Sequence, residues 1–161
     1  DLPVANTQPL MDAKVGDLPL IVKPRCGSGS AGVVKVSTAE LLHGMQVEYG
    51  DLWVAQEYLP NDDQEYTCAL VRLSGDTRFI VLNRRLNAGR TISAKVVREP
   101  AIEDLLISLA EIADLEGPIN IQLRMDSTIP KIFEINPRLS STVKMRHLLG
   151  FSDLEWMILN H

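Results

Sequence analysis

Glu134-Ile135-Asn136-Pro137-Arg138 closes the short apolar stretch Lys131-Ile132-Phe133, and the fold turns on how that run is read. The stretch reads as a strand, whose side chains alternate between faces, so Glu134 and Asn136 point one way and Ile135 the other. A carboxylate and a carboxamide two residues apart present hard oxygen ligands of the kind Mg²⁺ takes. Pro137 stops the ladder because it has no N–H to give. Arg138 then offers a planar cation suited to a phosphate or a carboxylate. The plainer alternative is a polar edge strand ended by a proline.

A second motif lies far upstream. Gly27-Ser28-Gly29-Ser30-Ala31-Gly32 fits the pattern G-x-G-x-x-G. A dinucleotide-binding turn needs a helix directly after its last glycine, because the helix N-terminus holds the pyrophosphate. Here β-branched Val33-Val34-Lys35-Val36 follows, which reads as a strand. A P-loop needs Gly-Lys-Ser/Thr at its end, and Gly32 is followed by Val33. What remains is a glycine-rich hairpin that folds over ATP phosphates, or a flexible surface hairpin with no ligand. In the first case the glycines let backbone N–H groups approach phosphate oxygens, Ser28 and Ser30 add hydroxyl donors, and Lys23 reaches in from the preceding strand. The kinase motifs His-Arg-Asp and Asp-Phe-Gly are absent.

Composition bounds the rest. The 161 residues suit one domain, of one or two lobes, and a 45% hydrophobic content supports a proper core. A net charge of -5 gives no general attraction for nucleic acid or an anionic membrane. Cys26 and Cys68 form no disulfide framework, and the expectation is a reduced, cytoplasmic protein. No apolar run approaches the roughly 18 residues that span a bilayer. The chain opens at Asp1 without methionine, which suggests a piece of something longer.

Along the chain the pattern predicts strands over 18–24, 33–36, 52–58, 65–73, 77–86, 91–98, 119–125 and 131–135. Ser37-Thr38-Ala39-Glu40 reads as a capping box, with Leu41, Leu42 and Met45 as the apolar stripe of the helix it starts. Leu59-Pro60-Asn61-Asp62-Asp63, Ser74-Gly75-Asp76 and Asn87-Ala88-Gly89 read as turns. Pro100 opens an amphipathic helix through Ile102, Leu105, Leu106, Leu109 and Ala113, and two short helices end the chain. Hairpins dominate, so the class is α+β and not regularly alternating α/β. Arg84 and Arg85 face opposite ways by alternation, so at most one serves a cleft. Lys144, Arg146 and His147 read as a solvated helix face.

Taken in order, Leu20-Ile21-Val22-Lys23-Pro24, the Gly27–Gly32 loop, Val54-Ala55-Gln56-Glu57-Tyr58-Leu59, Gln64-Glu65-Tyr66, Asn120-Ile121-Gln122 and Glu134–Arg138 resemble the ATP-grasp enzymes. The likeness is greatest to the ATP-grasp domains of the carbamoyl-phosphate synthase large subunit and related carboxylate–amine ligases. It covers nearly the whole chain. It implies two α+β lobes holding ATP between them: residues 1–58 as the smaller lobe with the glycine lid, and 59–161 as the larger. Lys23, Gly27, Ser28, Gly29, Ser30 and Gly32 would then meet the phosphates, and Lys23 with Arg138 would act in catalysis. Glu57 (through its carbonyl), Tyr58 and Leu59 (through its N–H) would read adenine, and Glu65 the ribose hydroxyls. Gln122, Glu134 and Asn136 would hold Mg²⁺ or Mn²⁺. The implied activity is ATP-dependent ligation of a carboxylate or bicarbonate to an amine through an acylphosphate. The alternative is a regulatory or degenerate nucleotide-binding module without turnover. The basic residue and α/β domain that precede this region in such enzymes are absent here, so the expected partners include further domains of a parent chain.

Overall fold

A computed structural model describes the chain apart from residues 1, 28, 61–63, 88, 115 and 161. Ser28, the tail of the expected turn after Pro60, and Ala88 therefore lie outside the described residues. The chain divides into two compact units: Ala5–Pro60 with Ala88–Arg90, and Asp1–Val4, Asn61–Asn87 and Thr91–His161. A single cut after residue 58 does not describe this division, because the chain crosses it at residues 4 and 60 and again around 88–90.

In the first unit, β1 (Thr7–Pro9), β2 (Leu20–Pro24), β3 (Val34–Val36) and β4 (Trp53–Glu57) form a sheet in the order β1-β4-β2-β3. Alternation along β2 buries Leu20 and Val22, and they pack with Leu10, Val36, Leu42, Met45 and Ala55. Helix α1 (Ala39–Tyr49) closes this core. Its cap is Thr38, not Ser37: the Thr38 hydroxyl accepts from the Leu41 N–H at 3.3 Å. Of the expected apolar stripe, Leu42 and Met45 are buried, whereas Leu41 is exposed. β1 had no sequence signal, since Thr-Gln-Pro matches no strand pattern and is held only by pairing with β4.

The second unit is a sheet in the order β7-β6-β5-β8-β9, made of β5 (Glu65–Leu73), β6 (Asp76–Asn87), β7 (Arg90–Val96), β8 (Gly117–Asp126) and β9 (Ile129–Asn136). Helix α2 (Pro100–Ala113) covers one face. Ile102, Leu105, Leu106 and Leu109 of α2 pack there on Tyr66, Cys68, Leu70, Ile119, Ile121, Leu123 and Ile132. Each such aliphatic side chain contributes about 1.5–3 kcal/mol on leaving water. Pro100 starts α2 and Asp114, in a left-handed conformation at φ 44°, ends it, while Arg72 donates to the Ala110 carbonyl at 2.6 Å. The opposite face of the sheet carries polar residues and a small apolar cluster of Ala69, Ile80 and Leu82 with Ala94 and Phe151. α3 (Val143–Leu148) and α4 (Asp153–Leu159) finish the chain. No helix among the described residues is long and apolar enough to cross a membrane.

Candidate functional site

In the second unit, the polar face of the sheet gathers residues far apart in sequence. The β5–β8 register places Glu65 opposite Arg124 and Thr67 opposite Gln122, all on the face turned away from α2. The β8–β9 register continues it, with Gln122 opposite Glu134 and Asn120 opposite Asn136. The three expected metal ligands, Gln122, Glu134 and Asn136, thus share one face, and each is half-buried. Asn136 Nδ2 donates to Glu134 Oε1 at 2.6 Å, and the buried Thr67 hydroxyl donates to Asn120 Oδ1 at 2.9 Å.

One carboxylate and two carboxamides make a hard-oxygen set that fits Mg²⁺ in type but not in charge. No group of three or more His, Cys, Asp or Glu able to hold a metal occurs among the described residues. A divalent cation on this set therefore needs further anionic oxygen, which a triphosphate supplies.

Glu65 sits at the centre of an arginine network. Arg84 Nε and Nη2 donate to its Oε1 at 3.1 and 2.7 Å, and Arg124 Nε and Nη2 to its Oε2 at 3.1 and 2.6 Å. The residue is only 4% exposed. The same Nη2 of Arg84 donates to Gln122 Oε1 at 2.6 Å, tying the network to the expected metal ligands. The expected ribose role of Glu65 would have hydroxyls displace part of this network. Each oxygen already takes two N–H donors, which fills the lone-pair positions that ribose hydroxyls would need. Arg85, the neighbour of Arg84, points to the other face by alternation and is exposed.

Beyond β9, the Arg138 N–H donates to the Asn136 carbonyl at 2.8 Å and its guanidinium to the Leu139 carbonyl at 3.1 Å; the side chain is exposed. Arg146 corrects the sequence reading. It is 1% exposed, not part of a solvated face. It pairs with Asp153 and donates to the Ser140 and Thr142 hydroxyls at 2.6 and 2.7 Å, fixing the segment that carries Arg138. The Glu65 network has no local signal, because its partners lie 19 and 59 residues away, whereas Arg146 meets Ser140, Thr142 and Asp153 within seven residues.

The first unit holds the remaining expected residues. Lys23 on β2 donates to Gln56 Oε1 on β4 at 2.8 Å, and Gln56 Nε2 passes the chain on to the Thr7 hydroxyl at 2.9 Å. The described residues of the glycine loop, Gly27 and Gly29 to Gly32, are exposed and are followed by β3, with no helix springing from Gly32. Gly29, Ser30 and Gly32 have φ of 64°, 61° and 75°. At Gly32 a Cβ would lie 3.1 Å from both the Pro24 ring and the Trp53 ring, so space as well as φ selects glycine. Gly27 meets no such neighbour. After β4, Tyr58 lies under Lys35, whose Nζ is 3.7 Å from the ring centroid, and Leu59 is buried. The Glu57 carboxylate accepts the Asn6 N–H at 3.2 Å.

A family profile described as ATP-grasp in the biosynthetic pathway with Ter operon matches residues 51–160. No curated protein sequence matches the chain. Among solved structures, N5-carboxyaminoimidazole synthetase from Staphylococcus aureus complexed with ADP gives a TM-score of 0.75 at 16% identity, over 95% of this chain and 46% of that one. D-alanine–D-alanine ligase from Bacillus anthracis gives 0.67 at 20% identity, over 99% of this chain and 61% of the other. L-amino acid ligase from Bacillus licheniformis gives 0.63 at 17% identity, over 96% and 44%. At these identities the likeness is one of fold. The chain spans less than two thirds of the length of each of these proteins.

Proposed function

This chain belongs to the family described as ATP-grasp in the biosynthetic pathway with Ter operon, and from that premise we propose that it is the core of an ATP-dependent carboxylate–amine ligase. The observation that carries the reading is the single polar face on which Gln122, Glu134 and Asn136 meet. In this reading Lys23 and the backbone N–H groups of Gly27, Gly29, Ser30 and Gly32 hold phosphate oxygens. Glu57 and Leu59 meet adenine through their backbone groups, beside Tyr58. Gln122, Glu134 and Asn136 hold Mg²⁺, which when bound neutralises phosphate charge as it builds.

The γ-phosphoryl group passes to a carboxylate or bicarbonate oxygen, and ADP leaves. An amine then attacks the acyl carbon, loses a proton and expels inorganic phosphate. Arg138 faces the negative charge of the acylphosphate, and losing such a donor typically costs on the order of 10²–10³ in rate. The protein's part is positioning and charge stabilisation. The cytoplasm and further domains of a longer chain are part of the same proposal.

The test is ADP release by the full-length protein across a panel of carboxylates and amines, with Glu134→Gln as control. Turnover that needs both acceptors and vanishes in Glu134→Gln supports the reading. Full activity in that variant overturns the metal assignment. A second reading, nucleotide binding without turnover, is favoured by the bond between Arg84 and Gln122, which already engages a ligand oxygen. It predicts binding of ATP with no acceptor-dependent ADP release.

A further inference from the structure

We propose that Arg84 is an internal counter-cation that makes divalent-metal binding on this face conditional on nucleotide. The inference rests on the metal assignment above and adds a residue to it. Arg84 Nη2 stands 2.6 Å from Gln122 Oε1 and 2.7 Å from Glu65 Oε1, so one nitrogen bridges the buried acid and the amide assigned to the metal. Two guanidiniums bond the single carboxylate of Glu65, so Arg84 shares this counter-anion with Arg124 beside Gln122. The only formal anion in the metal set is Glu134. A divalent cation arriving alone at Gln122 Oε1 meets a guanidinium already bound there, and the two repel.

A triphosphate changes both sides of that balance. Its oxygens complete the coordination of the metal, and they give the Arg84 guanidinium an anion to turn to when it releases Gln122. Arg84 Nη1 is not used in the bonds to Glu65 and Gln122, so the guanidinium can begin this exchange before it lets go. Arg84 thereby acts as a positioning residue. It holds Gln122 in place without metal and biases the face against free metal.

The experiment is Mn²⁺ binding to the full-length protein, followed by electron paramagnetic resonance with and without a non-hydrolysable ATP analogue. Wild type, Arg84→Gln, Arg84→Lys and Glu134→Gln are compared, each with its thermal midpoint. Wild type should bind Mn²⁺ at least about tenfold more tightly with the analogue present, a coupling of ordinary size for linked sites. Arg84→Gln should raise the nucleotide-free affinity about fivefold or more and shrink that coupling. Arg84→Lys keeps a charge for Glu65 but lacks the fork that reaches Gln122, so it should shift in the same direction and stands in if Arg84→Gln does not fold. Unchanged or weaker nucleotide-free binding in the folded Arg84 variants, with Glu134-dependent binding intact in the presence of analogue, overturns the counter-cation role alone. Mn²⁺ binding that ignores Glu134→Gln in every condition overturns the metal assignment itself, and this proposal with it.

Discussion

Gln122 and Glu134 stand directly opposite one another across β8 and β9, yet the next step of the ladder pairs Leu123 with Ile132 and skips Phe133. In an unbroken strand Ile132 and Glu134 would share a face. Here Ile132 is 3% exposed in the core beneath α2, while Glu134 lies with Gln122 on the other side. Phe133 is the extra residue that allows the switch, a β-bulge between the packing half of the strand and its polar half. The Arg124 guanidinium lies 5.8 Å from the Phe133 ring centroid, which puts the bulged side chain beside the arginine network.

Glu65 is the most consequential single acid for stability. Glu65→Gln removes the anion from between two guanidiniums whose side chains are 10% and 19% exposed. Stranding buried charge in this way costs about 3–5 kcal/mol. For a chain of this size each kcal/mol lowers the melting temperature by about 2–4 °C. A shift of under about 2 °C in a thermal melt would show the network to be solvated.

Arg146 and Asp153 form the second buried pair, with side chains 2% and 1% exposed. Asp153→Asn or Arg146→Met alone should each cost about 3–5 kcal/mol in urea titration, since either leaves one charge uncompensated. The double variant Arg146→Met, Asp153→Leu should recover most of that loss, because an apolar pair leaves no charge behind. Additive losses in the double variant would contradict a coupled pair.

The two cysteines should react very differently. Cys26 is exposed, whereas Cys68 is buried and its thiol is pushed up by desolvation, with Arg84 pulling more weakly the other way. A thiol reagent at pH 8 should label one cysteine in the native protein and the second only on unfolding. Because folding raises the Cys68 pKa, its contribution to stability is whole below the ordinary thiol value of about 8.5 and shrinks as pH rises above it. The urea midpoint should fall from about pH 9 upward, and less steeply in Cys68→Ala. Prompt native labelling of both thiols would place Cys68 outside the core.

The sheet elements and α2 were legible in the sequence because period-2 and period-3.6 apolar patterns survive in single segments. The strand after the glycine loop was legible too, since Val33-Val34 after Gly32 cannot open a helix as readily as a strand. β1 was not, because Thr7-Gln8-Pro9 is a strand only by virtue of its pairing with Gln56, Ala55 and Val54. Nor was the saturation of Glu65, whose partners Arg84 and Arg124 lie 19 and 59 residues away. The bulge at Phe133 was equally silent: simple alternation puts Ile132 on the face of Glu134 and Asn136, whereas Leu123 takes Ile132 as its partner.

The central claim is that Glu134, with Gln122 and Asn136, holds the metal of a bound nucleotide. Its most direct test is calorimetric titration of a non-hydrolysable ATP analogue into the full-length protein, with Mg²⁺ and then with EDTA, for wild type and Glu134→Gln. Wild type should bind at least about tenfold more tightly with Mg²⁺, and Glu134→Gln should lose that gain while melting within about 2 °C of wild type. The same Mg²⁺-dependent gain in Glu134→Gln would contradict the account.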